Sequence, residues 1–306
     1  MEITPNFTSK QKQAIKYLVD KTTNEILFGG GAGGGKSYTG CSFLILMAIQ
    51  YPKTRYLMGR SKLDALKKTT LNTFFEVCEH WNLLSGKHYS FNGQSNIIKF
   101  YNGSEILLKD LFHYPSDPNY DSLGSLEITA AFIDEANQIS EKAKMIVLSR
   151  IRYKLDENDL VPKILLTCNP AKNWLYTEWY LPNKKGELSS DKKFLQSLAI
   201  DNPNISKHYI QSLKKLDNLS RERLLYGSWE YEDSKGKLFI YDKLVDCFTN
   251  TYVPAGEQFL SIDVARFGRD TSVIILWSGW RVEKIFQYAK TSITDMEKYV
   301  LDLCSE

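Results

Sequence analysis

The chain has 306 residues, of which 43% are hydrophobic and 25% are charged, as in an ordinary globular protein of one or two domains. With 39 basic and 36 acidic residues, its net charge of +3 is too small to indicate a nucleic-acid partner. The five cysteines form no CxxC pair, which argues against a zinc site or a disulfide framework and predicts reduced thiols in a cytosolic protein. No signal-peptide pattern opens the chain, and its longest apolar stretch, residues 41–49, is too short to cross a bilayer, so we expect no membrane partner.

Apolar runs alternate with helical patterns through the first two-thirds of the chain, which predicts a mostly parallel sheet covered by helices. Residues 89–111 instead alternate apolar and polar side chains around two Asn-Gly turns, which predicts an inserted antiparallel hairpin. We predict a charged loop at residues 184–193. The predicted strands are residues 25–28, 55–59, 129–134 and 163–168, and the predicted helices are residues 38–50, 62–81 and 141–153.

A different pattern begins near residue 259, where three predicted strands with short connections precede one predicted helix. Such a meander leaves one face and one edge of its sheet exposed unless something covers them. We therefore expect the chain to be a truncated or naturally shortened product. The strands are predicted at residues 259–263, 273–277 and 282–288, and the helix at residues 293–304.

Eight residues between the first predicted strand and the first predicted helix match the phosphate-loop pattern GxxxxGK[ST]. Because glycine has no Cβ, backbone N–H groups can close around a phosphate, and the helix N-terminus adds positive charge. We expect Lys36 to reach the β- and γ-phosphates of ATP and the Ser37 hydroxyl to bind Mg²⁺. The predicted ATP-binding residues of the loop are Gly30, Gly31, Ala32, Gly33, Gly34, Gly35, Lys36 and Ser37.

Two carboxylates, Asp134 and Glu135, end the apolar strand predicted at residues 129–134. In phosphate-loop enzymes the first such acid binds Mg²⁺, and the second can polarise the water that attacks the γ-phosphate. Thr167 and Asn169 end another apolar strand, where small polar side chains beside a nucleotide can sense the γ-phosphate. A plain strand exit before Pro170 is the alternative for that second pair.

Gln11 precedes the first strand and is a candidate for reading the adenine edge, because its amide carries both donors and acceptors. It also stands three residues after Thr8, the spacing of a helix capping box. The spacing favours the cap, and the two roles are compatible.

Together these residues resemble the large terminase subunit of tailed bacteriophages, and the resemblance covers essentially the whole chain. It also rests on residues 132–136, 150–152 and 167–170, on Trp174, and on the block 201–229, which generic phosphate-loop ATPases lack. The resemblance implies an α/β fold: a P-loop NTPase of the ASCE, RecA-like type with a mostly parallel sheet and flanking helices. It further implies an ATPase domain at residues 1–195, a linker or lid subdomain at 196–250 and an incomplete RNase H-like nuclease domain at 251–306.

The function that the resemblance implies is an ATP-hydrolysing motor that translocates double-stranded DNA into a phage prohead, in the cytoplasm of the bacterial host. Glu135 would be the catalytic residue, Asp134 and Ser37 would hold Mg²⁺, and Thr167 and Asn169 would couple hydrolysis to movement. The implied partners are double-stranded DNA, a portal protein and a small terminase subunit. We expect a homo-oligomeric ring when the subunit is docked and a monomer in solution.

An arginine finger cannot be assigned by match, because Ala32 and residues 123–125 stand where many relatives carry arginine. A finger from a neighbouring subunit would stabilise transition-state charge once the ring assembles. An ordinary surface salt bridge is the alternative for each candidate. The candidates are Arg60, Arg150 and Arg152.

Asp263 ends the strand predicted at residues 259–263 and resembles the first metal ligand of an RNase H-like nuclease, for Mg²⁺ or Mn²⁺. Two-metal cleavage needs several carboxylates, and the family's next one would follow the last predicted helix. Asp270 either supports Asp263 or caps a turn. We therefore expect ATP hydrolysis with weak or absent DNA cleavage.

Two other function classes stay open: an assembly module that nucleotide only switches, and a helicase-like superfamily ATPase. A GTPase is disfavoured, because the nearest match to NKxD, residues 183–186, lacks the acid that reads guanine. A P-loop kinase is disfavoured because no arginine-rich lid is evident. DNA contact would be electrostatic and independent of sequence. Its candidate positions are Lys62, Lys67, Lys68, Lys184 and Lys185.

Overall fold

The computed structural model describes residues 5–114, 116–117, 119–231, 253–265 and 270–305. The chain divides into two compact units, one of residues 1–113 and 120–235 and the other of residues 114–119 and 236–306. Within the described ranges, no helix has both the length and the apolar composition to span a membrane.

The first unit contains a mostly parallel sheet with the strand order β3-β4-β5-β2-β6-β7-β1-β8. Only β3 and β4 depart from the parallel arrangement: each pairs antiparallel with its neighbours, whereas β5 pairs parallel with β2. The predicted α/β class with a mostly parallel sheet is confirmed. The strands are β1 (Glu25–Gly29), β2 (Arg55–Arg60), β3 (Tyr89–Asn92), β4 (Ile97–Phe100), β5 (Glu105–Asp110), β6 (Ala130–Ile133), β7 (Lys163–Thr167) and β8 (Lys192–Gln196).

The helices of this unit pack around the sheet, and α2 is the most deeply buried of them because the sheet, α1 and α4 all contact it. The single helix predicted at residues 62–81 is two helices, because Thr69 has non-helical angles of φ −129° and ψ −75°. The helices are α1 (Ser9–Val19), α2 (Lys36–Gln50), α3 (Leu63–Lys68), α4 (Thr70–His80), α5 (Glu141–Ser149), α6 (Leu181–Lys185), α7 (Lys207–Lys214) and α8 (Asn218–Leu224).

The core lies between α2 and one face of the central strands. Alternate strand residues such as Phe28, Met58 and Phe132 pack there with α2. The intervening residues, such as Leu27 and Leu57, are also fully buried. Central strands buried on both faces are typical of parallel sheets in α/β proteins. This arrangement holds the carboxyl ends of β1, β6 and β7 side by side.

Residues 89–111 form an antiparallel hairpin, but they are not a separate insertion. Strand β4 pairs with β5, which joins β2, so the hairpin extends the edge of the main sheet. Edge-to-face aromatic contacts fix it on α4, including Phe74 against Tyr89 (5.6 Å between ring centroids) and Phe75 against Phe91 (6.0 Å). The charged loop predicted at 184–193 is shorter than expected, because its first two residues end α6 and its last two begin β8, a half-exposed strand that the sequence pattern did not reveal.

The second unit contains a three-stranded antiparallel meander of order β11-β10-β9, followed by one helix. The predicted three strands and helix are therefore present. Ile274 and Met296 are buried, whereas Trp280 is 88% exposed and Ile285 is 56% exposed. The elements are β9 (Gln258–Asp263), β10 (Thr271–Ser278), β11 (Arg281–Ala289) and α9 (Ile293–Ser305).

Candidate nucleotide-binding site

The predicted phosphate loop connects β1 to α2, which is the strand–loop–helix setting that the sequence pattern requires. Gly35 precedes the first residue of α2 with φ +76°, a left-handed conformation that favours glycine. At Gly31, a Cβ atom would lie only 2.5 Å from the carbonyl oxygen of Leu224. Both positions therefore require glycine, the first for its backbone angle and the second for the close approach of another segment.

The side chain of Lys36 is buried under this loop, with its ammonium facing oxygen atoms. Lys36 Nζ donates to the carbonyl oxygens of Gly30 (3.2 Å) and Gly31 and to Asn169 Oδ1 (3.3 Å). Burial lowers the pKa of Lys36, and the neighbouring carboxylates Glu135 and Asp134 oppose that shift. Within the described part of the chain no carboxylate forms an ion pair with this ammonium, so it can bind an anionic ligand.

Asp134 follows β6 and accepts hydrogen bonds from three hydroxyl groups. Its Oδ1 accepts from Ser37 Oγ (3.0 Å) and Thr167 Oγ1 (2.6 Å), and its Oδ2 accepts from Thr70 Oγ1 (2.7 Å). A carboxylate beside the Ser37 hydroxyl fits Mg²⁺, which binds few protein oxygens and otherwise keeps water and substrate phosphates as ligands. The two Mg²⁺ ligands predicted for this site thus lie together.

Glu135 is held next to Asp134 in a left-handed conformation, with φ 51° and ψ 50°. Such angles are uncommon for a residue other than glycine and concentrate at functional sites. Burial raises the pKa of Glu135 and so does the charge of Asp134, while the cations Arg60, Lys36 and Arg223 oppose them. The loop, both acids and Asn169 line one cavity of about 450 Å³. This cavity brings the predicted phosphate, magnesium and catalytic residues together.

A second cavity, of about 420 Å³, adjoins the loop at Gly35 and contains Gln11 and Tyr38. Gln11 Oε1 accepts from Thr8 N (2.9 Å), and Gln11 Nε2 donates to Gly35 O (3.1 Å). The capping box is therefore present, as the spacing indicated. An amide has two N–H donors and two acceptor lone pairs, so one of each stays available for a base edge.

We expect the substitution Gln11→Ala to lower the affinity for ATP about tenfold, the equivalent of one hydrogen bond of about 1.4 kcal/mol. The matched control is Gln13→Ala, because Gln13 is exposed on the same helix. The measurement is titration with a fluorescent ATP analogue. Equal affinities for the two variants would limit Gln11 to its role as a helix cap.

The three arginine-finger candidates lie in different places. Arg60 ends β2 next to the site, with Nη1 4.0 Å from Asp134 Oδ2 and a hydrogen bond to Thr69. Arg152 is exposed and pairs with Glu127 at 3.4 Å. The backbones of Arg150 and Arg152 both bond to Ile128, at the end of β6 opposite Asp134. Of the three candidates, Arg60 is the one that lies beside a residue of the cavity.

Three residues that the sequence analysis did not select also contact the site. Thr70 donates to Asp134, and Asn202 Nδ2 donates to Gly33 O (2.9 Å). Arg223 Nε donates to Pro170 O (2.9 Å). Two of the three lie in the block 201–229, which indicated the family but has no pattern that predicts contact with a phosphate loop. Thr70 carries no sequence signal, since its role depends on the helix break at Thr69.

The predicted nuclease ligand Asp263 ends β9 and is exposed, as is Asp270. Among the described residues, no three His, Cys, Asp or Glu side chains cluster as a metal site would require. The nuclease assignment therefore stays a prediction.

The chain was compared with protein families, curated proteins and solved structures. Residues 21–227 match the family described as phage terminase large subunit. No curated protein matches the chain. Among solved structures, the large terminase of a thermophilic bacteriophage is similar at 14% identity, with 99% of this chain and 75% of that chain covered and a TM-score of 0.59.

The same thermophilic-phage terminase in complex with ATP-γ-S is similar at 13% identity, with 98% and 74% of the two chains covered and a TM-score of 0.57. The large terminase of bacteriophage HK97 is similar at 12% identity, with coverage of 89% and 60% and a TM-score of 0.50. At identities this low the structural similarity shows the fold alone, and the family match spans more than half of the chain. The chain therefore belongs to the phage terminase large subunit family.

Proposed function

We propose that this chain is an ATP-hydrolysing motor that moves double-stranded DNA into a phage prohead. The observation that carries the proposal is the single cavity in which Lys36, Ser37, Asp134 and Glu135 converge. A buried cation, a hydroxyl beside a carboxylate and a second carboxylate are the parts that triphosphate hydrolysis needs. The thermophilic-phage relative, whose complexes contain ADP and ATP-γ-S, supports ATP as the nucleotide.

The proposed reaction is attack of water on the γ-phosphorus atom. Glu135 orients the water and receives its proton, the bond from the γ-phosphorus to the bridging oxygen breaks, and ADP and phosphate leave. Lys36 and the loop amides stabilise the phosphate oxygens as their charge develops. Magnesium, bound at Ser37 and Asp134, would supply further positive charge to the phosphates.

We propose that Thr167 and Asn169 couple hydrolysis to movement. Thr167 donates a hydrogen bond to Asp134, the proposed Mg²⁺ ligand. Asn169 accepts one from Lys36, the proposed phosphate ligand. Thr167 and Asn169 both stand where β7 ends. A movement of Asp134 or Lys36 would therefore shift the chain that continues through Pro170. Pro170 O accepts the hydrogen bond from Arg223, which lies in the proposed linker or lid at residues 196–250.

The wider assignments are also proposals. A portal protein, a small terminase subunit and a ring of copies are the partners expected of a packaging motor, which would work in the cytoplasm of the host cell. In a ring, Arg60, Arg150 and Arg152 remain the arginine-finger candidates. We also propose that the ATPase domain ends at residue 195 and the linker or lid at residue 250. DNA cleavage through Asp263 is proposed to be weak or absent.

The decisive experiment measures ATP turnover by the full 306-residue chain, with and without duplex DNA, at low and high salt. We expect many turnovers per protein and stimulation by DNA that falls as salt rises, because phosphate contacts release counterions. A single turnover or none, with tight nucleotide binding, would favour the switched assembly module. Strand unwinding would favour the helicase.

A further inference from the structure

The C-terminal end of α8 lies directly on the phosphate loop. Ala32 N donates to Leu224 O at 2.8 Å, and this carbonyl occupies the space where a Cβ of Gly31 would be. Further along, Gln196 Nε2 donates to Gly227 O at 2.7 Å. The segment that follows α8 is thus hydrogen-bonded to the residues surrounding the loop.

Arg223 precedes the residue that touches the loop, and its own side chain reaches the end of β7. Its Nε donates to Pro170 O at 2.9 Å, and its guanidinium lies 5.3 Å from the centre of the Tyr231 ring. With the described residues its two terminal nitrogens make no hydrogen bond. A guanidinium has five N–H donors, so most of them are available to a ligand.

The position of the terminal phosphate follows from Lys36. Its Nζ lies between Gly31 O and Asn169 Oδ1, where a phosphate-loop lysine meets the β- and γ-phosphates. Arg223 contacts Pro170, the residue after Asn169, and is adjacent in sequence to Leu224, whose carbonyl touches Gly31 and Ala32. The Arg223 side chain thus contacts the segment after Asn169 on one side of the Lys36 pocket, and its helix contacts the phosphate loop through the next residue. Its charge also lowers the pKa of Glu135, as the charge of Lys36 does.

We propose that Arg223 binds the terminal phosphate of the nucleoside triphosphate in its own chain, an inference that rests on the proposed ATP site. Arginine suits this role, since its planar fork can donate two parallel hydrogen bonds to phosphate oxygens. ADP lacks the γ-phosphate, so the contact forms with the triphosphate alone. Helix α8 then carries a side chain that distinguishes ATP from ADP. The helix transmits that difference to the rest of the block 201–229.

The test compares binding of Mg²⁺-ATP-γ-S and Mg²⁺-ADP to the full chain by calorimetry. We expect Arg223→Gln to weaken ATP-γ-S binding about tenfold or more and to change ADP binding less than about twofold. Arg223→Lys keeps the charge but loses the planar fork, so it should restore only part of the lost preference for ATP-γ-S. The matched control is Arg221→Gln, because Arg221 lies on the same helix and bonds to Asn218 at its surface.

Two results would overturn the inference. One is equal weakening of both nucleotides by Arg223→Gln, which would give Arg223 only a structural role. The other is an unchanged preference for ATP-γ-S in that variant. If the unaltered chain binds neither nucleotide, the proposed ATP site itself fails. If it binds both and Arg223→Gln behaves like Arg221→Gln, only the role of Arg223 is refuted.

Discussion

Replacing Glu135 with glutamine is expected to reduce ATP turnover by a factor of about 10² to 10⁴, the usual contribution of a positioned general base. The amide keeps the size of the side chain but cannot accept the proton of the attacking water. Lys36, Ser37 and Asp134 are untouched, so the affinity for ATP should change little. The measurement pairs steady-state phosphate release with nucleotide titration of the same variant.

The control for this variant is Glu76→Gln. Glu76 is exposed on α4 and lines the same cavity, but it does not adjoin Asp134. Its loss changes the charge of the cavity by the same amount, so turnover should stay within about twofold of the unaltered chain. Unchanged hydrolysis in Glu135→Gln, or an equal loss in both variants, would remove the catalytic role of Glu135.

The substitution Lys144→Met should lower the free energy of unfolding of the first unit by about 3 to 5 kcal/mol. Lys144 on α5 pairs with Glu25 on β1 at 2.8 Å, with side chains only 3% and 8% exposed. Removing the lysine leaves the carboxylate buried without its partner, and that uncompensated charge is the source of the loss. Urea denaturation followed by circular dichroism measures the effect.

Two further variants test this explanation of the Lys144 effect. The double substitution Lys144→Met with Glu25→Leu removes both charges and should recover most of the lost stability. Lys68→Met breaks an exposed pair with Asp64, whose side chains are 71% and 76% exposed, and should cost less than about 1 kcal/mol. A double variant as unstable as Lys144→Met would show that packing, not the unpaired carboxylate, causes the loss.

The central elements were predictable because their signals are local. The apolar runs at β1, β2, β6 and β7 are continuous, as expected for strands buried on both faces. Strand β8 was missed because its residues, Lys192–Gln196, are only partly buried and carry two lysines, so the run looks like a loop. The break between α3 and α4 was missed because apolar periodicity continues across Thr69.

The amino-acid sequence by itself determined the phosphate loop, the Asp134–Glu135 pair and the family. The loop and the pair are short contiguous motifs whose chemistry follows from the residue types and their spacing, and the family follows from several such blocks along the chain. Only the tertiary structure revealed that Thr70 bonds to Asp134 and that Arg223 reaches Pro170. Those contacts join residues 64 and 53 positions apart. Their partners are selected by how helices pack on the sheet, and no local pattern in the chain encodes that packing.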